Sequence, residues 1–481
     1  MTKQLVAEQV EKTPRIKNFP PAHRLALAAL SLSMLMPSLG TSIANAGLPT
    51  LANTFSATFQ QIQWVVLSYL LTITASIVSV GRLGDMIGRR RLLLIGISIF
   101  TAASLLSGLS PTLWLLIAAR AAQGLGAAIM MALTVALVGE TVPKSKTGSA
   151  MGLLGTMSAI GTTLGPTLGG LLIATTGWRS IFLINVPLGV LNLVLAHRGL
   201  PQDTQAPTTT QTTFDIPGTL LLTLTLTLYA LAMTIGRGHF GQLNIALILI
   251  ALLGVGLFLF TETRVRTPLI RLEIFRNQAL TSNLVMSALV STVMMTNLVV
   301  APFYLSQALG LETALVGLAL SAGPFIAALT GVPAGRIVDR FGTKRMTILG
   351  LSSLAAGSFA LSTVSERFGI TAYLAPILFM TAGYALFQAA NNTAIMADIH
   401  PDQRGVISGL LYLSRNLGLI TGASLMGAIF AAATESANIM TASPAAVAAG
   451  MRTTFLVATV LVVAGLMTAV WGRVLTRGTE R

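Results

Sequence analysis

From residue 24 to residue 474 the chain is a succession of apolar stretches, most of them near the about twenty residues that an α-helix needs to cross a ~30 Å hydrocarbon layer. In a bilayer every backbone N–H and C=O must be satisfied within its own segment, so a chain of this kind folds as a bundle of spanning helices. The sequence predicts fourteen of them, an all-α integral membrane fold. Composition excludes a soluble globular protein: 53% of the 481 residues are hydrophobic, 9% are charged, and the mean hydropathy is +0.79. The first apolar stretch is too long for a removable signal peptide and lacks its cleavage site, so it is expected to remain as the first helix.

The formal charge of +15 invites a nucleic-acid reading, which the placement of the charges excludes. With the N terminus inside, only Arg179, Arg237, Arg367 and Arg452 fall in outside loops, and only Arg120 and Arg415 within spans. The remaining Lys and Arg lie inside, the positive-inside pattern of an inner-membrane protein with both termini cytoplasmic. The expected partners are the lipid bilayer, a small-molecule substrate and protons, for a monomer. The chain has no cysteine, and its four histidines lie near span ends, so neither a metal site nor a cofactor is expected. No grouping of nucleophile, base and orienting residue suggests an enzyme.

An internal repeat organises the spans. "GRLGDMIGRRRLLLIG" from Gly81 returns as "GRIVDRFGTKRMTILG" from Gly335, 254 residues later, with Asp339 in the place of Asp85. Gly152, Gly161 and Gly165 are spaced like Gly409, Gly418 and Gly422, 257 residues later. The chain therefore reads as a cytoplasmic tail (1–23), a six-helix bundle (24–197), a linker carrying two additional helices (198–278), a second six-helix bundle (279–474) and a short tail (475–481). Duplicated bundles of this kind place a substrate site where the halves meet near mid-membrane.

Four stretches carry chemistry. In "GRLGDMIGRRR" the glycines permit a tight turn, and Asp85 can meet a helix N terminus or a neighbouring Arg such as Arg89. "GLLGTMSAIGTTLGPTLGG" sets Gly161, Gly165 and Gly169 on one face, followed by Gly170, with Pro166 to bend the helix. In "RAAQGLGAA", Arg120 lies inside a span, where its charge needs a partner or water, with Gln123 beside it. "WRSIFLINVPLGV" carries Trp178 as an interfacial anchor and Pro187 as a bend.

Together these stretches resemble the fourteen-helix drug:proton antiporter branch of the major facilitator superfamily, the EmrB/QacA-like transporters, over nearly the whole chain. The resemblance implies an exporter of drugs or toxic amphiphiles working by alternating access in exchange for protons. It assigns Asp85, Arg89 and Asp339 to a latch between the halves, the glycine and proline run to a sealed gate between the halves, and Arg120 to proton coupling. Met86 stands where the family carries a basic residue. In "SLGTSIANAGLP" Gly40 stands where the family carries a cavity acid. No Asp or Glu lies near the middle of any span, so the coupling residue is left open among Asp85, Glu140 and Arg120 with its partner.

Polar stripes mark candidate cavity walls: Ser38, Gly40, Thr41, Ser42 and Asn45 on the first helix, Ser68 and Thr72 on the second, and Gln123 on the fourth. Others are Asn283, Ser287 and Met294 on the ninth and Tyr384, Gln388, Asn391 and Asn392 on the twelfth. Each stripe has a second reading as ordinary polar packing between helices. As a set they imply a pocket of amides, hydroxyls and Met for solutes of low net charge. Arg415 reads as structural, with Asp398 or Asp402 as its partner. Two alternatives stand beside drug export: a carrier of an anionic or neutral metabolite, with Arg120 binding the anion, and a non-transporting membrane sensor or scaffold.

Overall fold

The computed structural model describes residues 21–57, 59–202, 215–234, 241–265, 268–311, 313–363, 369–397, 399, 403–434 and 442–478. Arg237, His239, Arg367, Asp398, His400, Asp402 and Glu435 lie outside the described residues, as do the first twenty and last three residues. Fourteen helical spans run through the described chain, which contains no strand. They are α1 (Pro21–Thr54), α2 (Phe59–Ile87), α3 (Arg89–Leu109), α4 (Leu113–Thr141), α5 (Thr147–Thr176) and α6 (Ser180–Leu183 with Asn185–Gly199). The two additional helices are α7 (Ile216–Thr234) and α8 (Gln242–Glu262). The second bundle comprises α9 (Gln278–Phe303), α10 (Thr313–Phe341), α11 (Thr343–Ser362), α12 (Gly369–Ala397), α13 (Arg404–Ala433) and α14 (Pro444–Gly478).

Thirteen of these helices are long and apolar enough to cross a bilayer on their own account. The exception is α11, whose twenty residues carry a Lys-Arg pair in the first turn and are diluted by Thr, Ser and Gly. It occupies the place in the second bundle that α3 has in the first, and it crosses by packing on α12 and α14 rather than by its own hydropathy. The repeat extends to the turns. Gly88 and Gly342, equivalent in the two halves, cap α3 and α11 at φ of 101° and 85°, values a side chain would resist.

Proline chemistry sets the break in α6. The helix is interrupted at Ile184, three residues before Pro187, whose ring would clash with the carbonyl of Leu183 in a continuous helix. Trp178 is buried at the start of the span: its ring meets Phe55 and Phe182 edge-on, with centroids 5.4 and 6.3 Å away.

Each bundle has an apolar interior. That of the second is built on Val293, Leu351, Phe387 and Phe455. That of the first, around Leu30, Ile97 and Ile129, continues across the junction to Val406, Ile407 and Leu411 of α13. The junction itself is made by two equivalent helix pairs, α2 with α13 and α5 with α10.

Candidate functional site

Glycine governs how closely the halves approach. A Cβ on Gly81 would enter the backbone of Gly405, and one on Gly335 the backbone of Gly148, the same pair in the other half. Higher on the same seams, Gly152 meets the Gly331 carbonyl and Gly409 the Ile77 carbonyl. Helices this close bring each aspartate of the repeat to the N terminus of a helix in the opposite half. Asp85 accepts from the N–H groups of Gly405 and Val406 at 2.9 and 3.0 Å, in the first turn of α13. Asp339 accepts from the N–H groups of Gly148 and Ser149 at 2.7 and 2.9 Å, and from the Ser149 hydroxyl at 2.5 Å, in the first turn of α5. Each carboxylate satisfies helix donors that would otherwise be orphaned, and sits at the positive end of the dipole.

One half carries an additional clamp. Arg89 donates from Nε and Nη2 to Asp85 at 3.0 and 2.7 Å and also pairs with Glu140 at the end of α4. The position equivalent to Arg89 in the second half is Thr343, so Asp339 has no matching arginine there.

The glycine run of α5 divides. Gly152 and Gly148 face the opposite half, but Gly161 and Gly165 face α1 in their own half, against the Leu35 carbonyl and Ser42. Ser42 closes that seam by donating to the Gly161 carbonyl at 2.9 Å. Their counterparts Gly418 and Gly422 seat α13 on α9 in the same way. These glycines therefore seal each half internally, not the gap between halves, because their spacing fixes a face but not the neighbour. Gly169 is buried; Gly170 and Pro166 are exposed, with open space beside Gly170.

Arg120 is fully buried inside the first half, away from the junction. Its Nε donates to the Val65 carbonyl at 3.0 Å and its Nη1 to Gln123 at 2.5 Å, while Gln123 donates to Ser104 at 2.7 Å. The guanidinium lies 4.1 Å from the centre of the Tyr69 ring. Among the described residues it meets no carboxylate, and Nη2 is left without a hydrogen-bond partner. Gly40 is buried against this same cluster: a Cβ there would lie 3.4 Å from Phe100 and 3.9 Å from both Gln123 Nε2 and the Tyr69 hydroxyl. The position where the resemblance expects a cavity acid is thus held by a glycine in contact range of an incompletely satisfied arginine network.

That juxtaposition predicts a gain. Gly40→Asp should raise the detergent melting temperature relative to Gly40→Ala, through charge-assisted hydrogen bonds of about 1.5–3 kcal/mol. The advantage should vanish in an Arg120→Met background, which a double-mutant cycle measures directly. An equal gain with and without Arg120 would dissociate Gly40 from the network.

Of the rest of the α1 stripe, Ser38 and Ser42 face α5. Ser38 shares a hydrogen bond of 2.7 Å with Ser158, Thr41 bonds back to the Pro37 carbonyl, and Asn45 is exposed. Ser68 is buried, and Thr72 packs against Gly124 of α4. None of these, nor Asn283 or Met294, lines the crevice between the halves.

The crevice is lined instead by Ser287, Tyr384, Gln388, Asn391 and Asn392 from the second half, as the α9 and α12 stripes predict in part. Sequence reasoning missed Met34, Ser158, Ser291, Tyr412 and above all Arg415, which contributes a guanidinium to the wall. The Tyr412 hydroxyl spans the crevice to the Met34 sulfur at 3.1 Å. Asn391 Oδ1 is buried there without a donor, and Arg415 makes no hydrogen bond or ion pair among the described residues. The lining holds no carboxylate. In this state the space suits water rather than a drug-sized solute.

Two equivalent helix bundles, latched at one end and enclosing a polar crevice at mid-depth, define a membrane transporter rather than an enzyme. The chain belongs to the Major Facilitator Superfamily, whose family profile matches residues 30–423. It is 32% identical to the multidrug resistance protein Stp of Mycobacterium tuberculosis (strain ATCC 25618 / H37Rv) over 416 residues, 85% of this chain and 76% of that protein. It is 29% identical to the riboflavin transporter RibZ of Clostridioides difficile (strain 630) over 410 residues, 85% of this chain and 88% of that one. The fold is that of the human organic anion transporter MFSD10 (TETRAN), with a TM-score of 0.65 at 14% identity, covering 94% of this chain and all of that one.

Proposed function

We propose that the protein exports amphiphilic small molecules, drugs or other toxic solutes among them, by alternating access and in exchange for protons. It works as a monomer in a bacterial inner membrane, with both termini cytoplasmic. The fourteen-helix drug:proton antiporter branch accommodates the two additional helices α7 and α8, and relatives named for multidrug resistance support export. On this reading the latched end, which carries Arg82, Arg89, Arg90 and Arg91, is cytoplasmic by the positive-inside rule, and the described state is closed to the cytoplasm.

The observation that carries the substrate class is the crevice wall: one guanidinium, Arg415, among amides and hydroxyls, with no carboxylate. Such a wall favours a solute with an anionic or neutral polar group on an aromatic or aliphatic body, and it disfavours dications. The named substrate of RibZ, a flat polar heterocycle, is of this kind. The Arg120 reading of anion recognition passes to Arg415, since Arg120 is walled off by its own half.

The test is transport in proteoliposomes of anionic, neutral and dicationic amphiphiles, with and without a pH gradient. Arg415→Ala should lower transport of the anionic solutes about tenfold or more, and Arg415→Lys should restore part of it. Efficient dication export by the wild type, undiminished in Arg415→Ala, would refute the substrate class. Transport indifferent to the pH gradient would refute proton exchange.

A further inference from the structure

The two helices outside the repeats carry a pair of buried acids that the latch and crevice do not use. Asp215 immediately precedes α7 and is 5% exposed; Glu262 ends α8 and is 4% exposed. Each has one oxygen satisfied. Asp215 Oδ1 accepts from the Gly218 N–H at 2.8 Å, capping α7, and Glu262 Oε2 accepts from the Ile270 N–H at 3.4 Å. The other two oxygens, Asp215 Oδ2 and Glu262 Oε1, are buried without any donor. Both converge on one point: a Cβ on Gly218 would run into both of them. At 2.3 and 2.8 Å from that one point, the two oxygens lie no more than 5.1 Å apart.

Two ionised carboxylates do not share such a place without a cation. Among the described residues, the charged groups of the connection after α8 and of the latch are engaged elsewhere or exposed. Arg264 lies over the Phe260 ring at 4.5 Å, Arg271 and Glu273 are exposed, and on α2 Asp85 is held by Arg89. Neither acid forms an ion pair among the described residues, Arg82 of α2 included. No group of three or more possible metal ligands occurs among them either.

We propose that Asp215 and Glu262 form a proton-binding site, with one proton held between Glu262 Oε1 and Asp215 Oδ2. A single hydrogen satisfies both orphaned oxygens and removes one of the two charges. The proton resides on Glu262, because the charge on Asp215 is favoured at the N terminus of α7. The shared proton fastens the connection after α8, where Leu269 and Ile270 are buried, to the start of α7. α7 in turn is bonded to both members of one junction seam: Thr223 donates to the Ala75 carbonyl of α2 at 3.3 Å, and the hydroxyls of Tyr229 and Thr421 bond α7 to α13. The additional helices thereby bring a protonatable contact to the seam that Asp85 latches. The site stands independently of the substrate and of the direction of transport.

Infrared difference spectroscopy of the purified full-length protein, titrated through neutral pH, tests it. A C=O stretch of a protonated carboxyl is expected at neutral pH in the wild type, absent from Glu262→Gln, displaced in frequency in Asp215→Asn and unchanged in the exposed-site control Glu273→Gln. If the Gln variant does not purify, the wild-type spectrum and the Asp215→Asn displacement still decide. A wild type without the band at neutral pH, or a band unaltered in both dyad variants, overturns the proposal. So does a rise in wild-type melting temperature on adding calcium or zinc that Glu262→Gln abolishes, since the pair would then be a cation site.

Discussion

Arg120→Ala is expected to unfold more readily than the wild type, with a loss of about 3–5 kcal/mol. The substitution leaves Gln123 Oε1 buried without its donor and opens a void beneath Tyr69 and Phe182, against which the guanidinium lies. A melting temperature in detergent lower by about 3–5 °C is the corresponding observable. Arg120→Met separates charge from packing, because it fills much of the void while removing the ion, and replacing buried ions by apolar groups of similar volume is often neutral or stabilising. A stable Met variant that fails to transport would show that the charge serves the transport cycle. A stable Met variant that transports normally would make Arg120 a packing element. An Ala variant as stable as the wild type would contradict the burial and bonding described above.

This expectation differs from the one the sequence alone supports, and the difference shows what a sequence of spanning helices does and does not encode. Length and apolarity fix thirteen of the spans, because backbone satisfaction in lipid leaves no other solution, and the internal repeat supplies the fourteenth, α11. The close approach of the halves was legible because two backbones can touch only where side chains are missing: Gly81 with Gly405 and Gly335 with Gly148 need the glycines that make the repeat visible. The α12 wall of the crevice was legible because Tyr384, Gln388, Asn391 and Asn392 are too polar to face lipid.

What failed was the choice of neighbour. Gly40 and Thr72 share the composition of cavity stripes, yet they face other helices of their own half. Within a membrane a small polar residue is equally at home at a helix seam and at a water-filled wall, so periodicity cannot separate the two. Arg120 and Arg415 were not told apart by position for the same reason. Each is a single charge within a span, and only the packing reveals that the first is sealed by Val65, Gln123 and Tyr69 while the second opens onto the crevice. The dyad of Asp215 and Glu262 escaped notice because its members are 47 residues apart and at span ends, where lone acids are ordinarily solvated.

Asp85→Asn combined with Asp339→Asn is expected to reverse the conformational preference of the molecule. Each carboxylate bridges the halves through two helix N–H groups. An Asn in its place loses the charge that the helix dipole favours and turns an amide N–H toward donors, a loss of about 1.4 kcal/mol or a factor of about ten per site. The two latches are related by the repeat and share no residue, so their effects should add in free energy, giving about a hundredfold shift for the double variant. The single variants should differ only modestly, because Arg89 retains Glu140 when Asp85 is neutralised and Asp339 has no equivalent arginine to release. The chain has no cysteine, so Ile87→Cys with Phe341→Cys places spin labels cleanly at two exposed, repeat-equivalent positions beside the latches. Leu171→Cys with Leu318→Cys does the same toward the opposite ends of α5 and α10. Double electron–electron resonance on the double variant should show the first distance lengthening and the second shortening. Distributions identical to wild type would mean that the glycine-mediated backbone contacts hold this end closed without the carboxylates, and Gly81→Val, which drives a side chain into the Gly405 backbone, would then be the substitution that opens it.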